Sequence, residues 1–241
     1  IAKLAGAKGI PFIEDLGSGA VVPTETLGLI EHEPMPNDSL KAGAHLVCFS
    51  GDKLFGGPQT GVIAGKARLI AALKREPLFR ALRCDKLIFA ALSVTADAHL
   101  RKAWDEIPVL ALLQTSTDAL RERADALVRR LQALPFAARV VPSKAEIGGG
   151  ALPRAIIPSI ALELSSPTIL PNEFALRLRQ TKPAIVGCIA RNKFRIDLRT
   201  VFSSQDESIF LALKQAVSKL DLREQVPPEG LASASPASND E

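Results

Sequence analysis

The sequence predicts an α/β fold over about its first hundred residues and a smaller α+β domain after them. A helix, a short apolar strand and a glycine turn follow one another in residues 1–19, and a second apolar strand runs into a glycine-rich segment in residues 45–57. Beyond residue 138, short apolar runs are mixed with two helical patterns. Alternating helices and strands are typical of α/β sheets, whose ligands bind at the carboxyl edge of the strands.

The elements of the first part are each marked by their residues. Gly9 is suited to close a helix that occupies residues 1–10. The strand after it ends at Asp15, just before the glycine turn 17–19. Several prolines make residues 23–38 a predicted loop. Three short strands are predicted, at 11–14, 45–49 and 61–64.

Helices are predicted to follow these strands. Residues 67–75 carry apolar side chains at helical spacing. Pro77 suits the first turn of a helix, which we expect to continue to residue 100. Residues 117–134 form an amphipathic pattern, and we expect its charged face to be solvated.

The last part of the chain predicts a separate α+β arrangement. Its strands are predicted at 139–142, 156–164, 184–190 and 194–198, and its helices at 171–180 and 204–220. Ser204 is a plausible cap for the final helix. The end of the chain is rich in proline, serine and alanine, so we expect a disordered tail. The predicted boundaries are therefore 1–100, 101–225 and 226–241.

The composition indicates a globular chain with a hydrophobic core. Hydrophobic residues make up 47% and charged residues 23%, which excludes disorder as the main state. Its apolar runs are shorter than the ~20 residues that a membrane span needs, so we expect no membrane partner. The three widely spaced cysteines fit neither a disulfide framework nor a metal site, so we expect a cytoplasmic location. The net charge of +4 is compatible with an anionic substrate.

Lys53 is the first candidate for chemistry. It follows the second predicted strand, in the segment SGDKLFGGPQTG at residues 50–61. A charged ammonium group at the buried end of a strand is unfavourable unless it has a partner or a function. A partly desolvated lysine can act as an amine nucleophile toward an aldehyde. The alternative is a surface lysine in a glycine-rich hairpin loop.

Asp15 strengthens the functional interpretation of Lys53, because it ends the neighbouring predicted strand. Pyridoxal phosphate needs a lysine as its covalent anchor and a carboxylate against its pyridine nitrogen. Lys53 and Asp15 could provide these two groups. Ser50 lies three residues before the lysine, and its hydroxyl could either reach the cofactor phosphate or satisfy a turn.

Six short segments of the chain carry a resemblance to a known family. They are SGDKLFGGPQTG at 50–61, GK at 65–66, PLFRALRCDKL at 77–87, DLGSG at 15–19, GGGALP at 148–153 and DLRTV at 197–201. Together they resemble the carboxyl-terminal part of bacterial selenocysteine synthases, the L-seryl-tRNA(Sec) selenium transferases. The resemblance runs from about residue 1 to residue 220. It implies a fold-type I pyridoxal phosphate enzyme and a homodecamer, with Lys53 as the covalent anchor and Asp15 at the pyridinium nitrogen.

The resemblance also implies a substrate and a selenium donor. Arg80 and Arg83 are three residues apart, so on one helix they would share a face, and two guanidinium groups suit an oxyanion. Taken without the family, a solvated basic face is the alternative. Family arginines at these positions line the site for selenophosphate. The implied reaction converts seryl-tRNA(Sec) to selenocysteinyl-tRNA(Sec), with Lys53 removing the Cα proton.

The family pattern further implies a long upstream region with a tRNA-recognising domain and the main phosphate cradle. Residues 1–100 would then be the carboxyl-terminal half of the cofactor-binding domain with a linking helix. Because Ile1 opens the chain inside a running βα pattern, we expect a piece of a longer protein that binds the cofactor weakly by itself. The pattern departs at Ser93, where glutamate is expected, and at Cys188, where arginine is expected. Two alternatives stay open: a related pyridoxal phosphate lyase acting on an amino acid or amino sugar, and a non-catalytic truncated oligomerisation module.

Overall fold

The computed structural model describes residues 1–149, 151–152 and 155–218, which contain two separate β-sheets. The first sheet has three strands and the second has four. The tail predicted at 226–241 lies outside the described residues, as does the end of the last predicted helix beyond residue 218.

The first sheet is built by the amino-terminal elements. These are α1 (Ala2–Ala7), β1 (Ile13–Gly17), α2 (Pro36–Lys41), β2 (Leu46–Ser50) and β3 (Gly61–Gly65). β1 runs parallel to β2, and β3 pairs with β2 in the antiparallel direction. Gly9 closes α1 with a φ of +64°, which confirms the sequence prediction. The loop predicted at 23–38 is interrupted by a 3-10 turn (Thr24–Leu27) and by the start of α2, because Pro36 fits a first helical turn.

Four helices follow the first sheet: α3 (Ala67–Arg75), α4 (Pro77–Ala81), α5 (Lys86–Arg101) and α6 (Pro108–Gln114). The single helix predicted over 77–100 is wrong, since residues 82–85 are not helical. Asp85 accounts for the new start, because its carboxylate accepts hydrogen bonds from the backbone N–H groups of Leu87 and Ile88 at 2.8 and 3.0 Å. This N-cap begins a separate helix in a new direction.

The second sheet is antiparallel throughout and packs against three helices. Its elements are α7 (Thr117–Leu131), β4 (Ala137–Ala145), β5 (Ile157–Ser165), α8 (Pro171–Arg179), β6 (Cys188–Ala190), β7 (Lys193–Asp197) and α9 (Asp206–Ser218). The strand order is β4-β5-β7-β6. Leu162 and Phe194 of the sheet are fully buried in one core with Leu127, Phe174 and Leu213 of the helices. Burial of these large apolar side chains holds the second sheet and its helices together.

Two predicted bounds in this region need correction. The strand predicted at 184–190 is reduced to β6, because the Ile185 N–H donates a hydrogen bond to the Leu178 carbonyl of α8 instead of joining the sheet. Ser204 does not cap the last helix, since it lies within a 3-10 turn and α9 begins at Asp206. An acidic residue in that first turn is favoured by the helix dipole.

Arg199 connects the two parts of the molecule. Its side chain is buried, and its Nη1 donates hydrogen bonds to the carbonyl groups of Leu112, Leu113 and Thr115 at 3.0, 3.2 and 2.8 Å. Its Nε and Nη2 donate to the Pro158 carbonyl at 3.2 and 2.7 Å. The end of α6 and the start of β5 are therefore held by one guanidinium group.

Candidate active site

Two loops meet at the carboxyl edge of the first sheet, because β1 and β2 are parallel. The Leu54 N–H donates a hydrogen bond to the Ser18 carbonyl at 3.0 Å and so ties the loop after β2 to the loop after β1. Gly19 lies at the contact with a φ of +70°, and a Cβ there would overlap the Ser50 carbonyl oxygen. Only glycine allows both this backbone conformation and this close approach.

The loop after β2, residues 51–61, is referred to below as the lysine loop. Its fold is fixed by its own backbone: Gly51 N–H donates to the Thr60 carbonyl at 2.8 Å, and Gly57 N–H donates to the Gly51 carbonyl at 2.7 Å. Gly56 has a φ of +76°, and a Cβ on it would overlap the side chain of Ile107, just before α6. The lysine loop therefore packs against the segment that leads into α6.

Lys53 extends from this loop between two glycines. Its Nζ lies 3.9 Å from the place that a Cβ on Gly17 would occupy, and its Cε lies 3.7 Å from the corresponding place at Gly149. The side chain is half-buried, and within the described ranges its amine makes neither a hydrogen bond nor an ion pair. A larger residue at Gly17 or Gly149 would compete with the lysine for this space.

Lys53 lines an open pocket of about 450 Å³. Its walls include Asp52, Gly56, Pro108, Val109 and Gly149. An amine that is free of carboxylate partners and faces a pocket at the carboxyl edge of a sheet is suited to react with a carbonyl compound.

Asp15 is the middle residue of β1, which continues to Gly17, so the strand does not end at Asp15 as predicted. It is exposed and pairs in register with Cys48 of β2. Burial raises the pKa of the Cys48 thiol, and the neighbouring Asp15 carboxylate raises it further. Ser50 ends β2 and is half-buried, and in the described part of the chain its hydroxyl has no hydrogen-bond partner. The structure thus places Asp15 and Ser50 on adjacent parallel strands, with Lys53 three residues after Ser50, and neither Asp15 nor Ser50 is among the residues that line the pocket beside Lys53.

Arg80 and Arg83 do not share a helical face, so that prediction is wrong. Arg80 lies in α4, whereas Arg83 lies in the connection after it, because the chain leaves the helix at Leu82. Both side chains are exposed, and among the described residues neither makes a hydrogen bond or ion pair. The Cys84 Sγ lies 3.1 Å from the Thr60 Oγ1 and attaches this connection to the lysine loop.

The residues present fit pyridoxal phosphate as far as the anchor and the ring nitrogen are concerned. Lys53 offers a free amine in a pocket whose glycine walls leave room beside it, and Asp15 offers an exposed carboxylate at the same sheet edge. Ser50 offers one free hydroxyl for a phosphate group. A covalent anchor and a carboxylate are the two protein groups that this cofactor requires for its electronics.

The pocket also contains residues that the sequence prediction did not single out as site residues. Asp52 places a second carboxylate directly before the lysine, and its position in the chain was the available signal. Gly149, with a φ of +71°, contacts the lysine stem from a distant segment. The sequence marks Gly149 only as part of the family segment GGGALP at 148–153. Spacing along the chain does not indicate that this segment lies beside Lys53.

The chain has the fold of the fold-type I pyridoxal phosphate enzymes. The solved structure of a D-glucosaminate-6-phosphate ammonia-lyase is similar to this chain with a TM-score of 0.55 at 20% sequence identity. The similarity covers 90% of this chain and 52% of that one, and at this identity it shows the fold alone.

The sequence comparison identifies the family more closely. The family model described as L-seryl-tRNA selenium transferase (SelA) matches residues 1–202, and the chain belongs to this family. Two similar curated relatives are both named L-seryl-tRNA(Sec) selenium transferase. The one from Carboxydothermus hydrogenoformans is 40% identical over 208 residues, covering 85% of this chain and 44% of the relative. The one from Aquifex aeolicus is 36% identical over 219 residues, covering 90% and 48%.

The chain spans less than half the length of these curated relatives. In the part that the structure describes, none of the helices has the length and apolar character needed to cross a bilayer. The same residues contain no cluster of three or more histidine, cysteine, aspartate or glutamate side chains that could hold a metal ion.

Proposed function

We propose that this chain supplies the lysine-bearing part of a pyridoxal phosphate-dependent L-seryl-tRNA(Sec) selenium transferase. One observation carries the proposal: Lys53 presents an unpaired, half-buried amine to a pocket at the carboxyl edge of the sheet, in a chain of this family. In this proposal residues 1–100 are the carboxyl-terminal half of the cofactor-binding domain, residues 101–225 form the small domain, and 226–241 is a tail.

Lys53 has two successive tasks in the proposed reaction. Its amine would hold the cofactor covalently until the substrate binds. The freed amine is in position to take the proton from the substrate Cα as a general base. When bound, the cofactor supplies the electron sink that makes this proton acidic and allows the β-hydroxyl to leave.

Asp15 and Ser50 orient the cofactor in this proposal. The Asp15 carboxylate keeps a proton on the pyridine nitrogen, because a nearby negative charge favours the protonated ring. The exposed position of Asp15 at the sheet edge leaves its carboxylate available for such a partner. The unpaired Ser50 hydroxyl donates to a phosphate oxygen.

Arg80 and Arg83 bind the selenium donor, selenophosphate. Both guanidinium groups are exposed and free among the described residues, and the contact between Cys84 and Thr60 keeps their segment against the lysine loop. Guanidinium groups are suited to phosphate oxyanions because they offer paired N–H donors.

The proposed assembly is a homodecamer in the cytoplasm with seryl-tRNA(Sec) as substrate. Support for subunit contacts comes from α5, where Leu87, Phe89 and Val94 are 73%, 58% and 72% exposed. Exposed large apolar side chains along one helix are typical of surfaces that other protein segments cover.

Reductive labelling tests the anchor directly. The full-length protein that contains this chain is loaded with pyridoxal phosphate, reduced with borohydride and digested, and the labelled peptide is identified by mass spectrometry. We expect the label on Lys53 and its loss in the Lys53→Ala variant. A label that falls mainly on Lys66 or Lys86 would contradict the proposal.

A further inference from the structure

His99 lies in the last turn of α5 and contacts the lysine loop at Phe55. Its Nε2 is 2.9 Å from the backbone carbonyl oxygen of Phe55. Its ring also stacks on the Phe55 ring, with centroids 4.8 Å apart and an interplanar angle of 29°. One side chain therefore holds both the backbone and the side chain of a residue two positions after Lys53.

The chemistry of the contact fixes the proton on His99. A carbonyl oxygen can only accept, so Nε2 must carry the hydrogen and donate it. The other ring nitrogen, Nδ1, is buried and has no hydrogen-bond partner among the described residues. A buried polar atom without a partner is unfavourable. The hydrogen bond and the stacking with Phe55 therefore determine the position of the ring, although Nδ1 is left without a hydrogen-bond partner among the described residues.

This hydrogen bond has a distinct place in the support of the lysine loop. Within the described ranges it is the single side-chain hydrogen bond to the backbone of residues 51–61. The loop is also held by backbone hydrogen bonds, among them Leu54 to Ser18, and by the packing of Gly56 on Ile107. Phe55 lies directly before Gly56, whose N–H donates to the Lys53 carbonyl at 2.9 Å, so His99 fixes the turn that begins at Lys53.

We propose that His99 is a positioning residue for Lys53, acting through the Phe55 carbonyl. The inference rests on the proposed function, in which Lys53 is the covalent anchor of the cofactor. By holding the loop from α5, His99 keeps the lysine amine directed between Gly17 and Gly149 into the pocket. It does not itself touch the reacting atoms.

Two substitutions separate the hydrogen bond from the ring packing. His99→Phe keeps a ring to stack on Phe55 but removes the N–H donor. His99→Gln removes the ring but keeps an amide N–H at a similar reach. The matched control on the same helix is Ser93→Ala, because the exposed Ser93 hydroxyl only bonds the Phe89 carbonyl of its own helix, at 2.8 Å.

The measurement is the ratio of label on Lys53 to label on the exposed Lys66 after pyridoxal phosphate and borohydride treatment of the same sample. We expect the ratio to fall about fivefold in His99→Phe, which corresponds to the loss of one ordinary hydrogen bond. It should stay within about twofold of the wild type in His99→Gln and be unchanged in Ser93→Ala. An unchanged ratio in the Phe variant, or an equal fall in the Gln and Phe variants, would overturn the inference.

A second readout does not depend on the cofactor. The Gly56 and Gly57 amides bond within the lysine loop, so their hydrogen exchange should become about fivefold faster in His99→Phe and stay near wild type in His99→Gln. If wild-type Lys53 is labelled no better than Lys66, the proposed function fails. The exchange rates then decide separately whether His99 holds the loop, and unchanged rates in the Phe variant would refute that role.

Discussion

Replacing Arg199 by methionine should lower the free energy of unfolding by about 4 kcal/mol. The guanidinium is 5% exposed and bonds four backbone carbonyls, three at the end of α6 and one at Pro158. Each carbonyl that stays buried without a partner costs about 1–3 kcal/mol, and the low end applies because a carbonyl has two lone pairs and adjusts easily. Four carbonyls at about 1 kcal/mol each give the figure. Methionine keeps the apolar stem, so lost packing contributes little.

The Arg199→Lys variant tests whether a positive charge alone can replace the buried guanidinium group. Burial lowers the pKa of the guanidinium from its ordinary value, while Asp197 raises it. Lysine keeps the charge in Arg199→Lys, but its single ammonium has three donors and cannot reach the end of α6 and Pro158 together. We expect this variant to lose about half as much stability as the methionine variant.

Urea unfolding followed by tryptophan fluorescence and far-ultraviolet circular dichroism measures both effects. Trp104 is the single tryptophan and lies just before α6, so its signal reports the part that Arg199 holds. Arg179→Met is the matched control, because Arg179 is exposed and makes no hydrogen bond among the described residues, and it should stay within about 0.5 kcal/mol. If Arg199→Met also stays within about 1 kcal/mol of wild type, the carbonyl argument is refuted.

Three further predictions concern the candidate site. Alkylation of Cys48 should require a higher pH than alkylation of a free thiol, because its pKa is raised. Asp15→Asn should shift the pH profile of alkylation only part of the way back, since burial is the larger cause. An unshifted pH profile would show that the carboxylate does not act on the thiol. Gly19→Ala should destabilise the protein by about 2 kcal/mol or more in urea unfolding, since its φ is +70° and the new Cβ overlaps a carbonyl oxygen. In the proposed assembled enzyme, Arg80→Gln and Arg83→Gln should each raise the KM for selenophosphate about tenfold with less effect on kcat, and an unchanged KM would remove that arginine from the donor site.

The sequence predicts well those features that depend on local patterns. Gly9, the strand before Asp15 and the strand before Lys53 are each determined by neighbouring residues, and the structure confirms their places within a few positions. Asp15 and Ser50 lie on neighbouring strands, as local patterns alone predict. The segments that carry the family resemblance are spread along the chain, from DLGSG at 15–19 to DLRTV at 197–201.

Features that depend on distant contacts could not be predicted in this way. Pro77 and the apolar spacing after it predict one helix, but α4 ends before Leu82, which leaves Arg83 outside it, and Asp85 caps a second helix. A capping residue inside an apolar pattern can begin a new helix or lie within a continuous one, and residue spacing does not distinguish the two. The sequence gives no signal for the contact of His99 for the same reason, since its partner is a backbone carbonyl 44 positions earlier in the chain.

The two departures from the family pattern can be judged by what each residue contacts. Ser93 is exposed on α5, and its hydroxyl bonds a carbonyl of its own helix. Cys188 is exposed on the edge strand β6 and pairs with Arg195 in the second sheet. Among the described residues, neither side chain makes a hydrogen bond to the lysine loop. If the site had lost its function, we would expect substitutions at glycines such as Gly19, where a side chain does not fit. Glycine is present at that position. The departures therefore give no physical reason to favour a non-catalytic module over an enzyme.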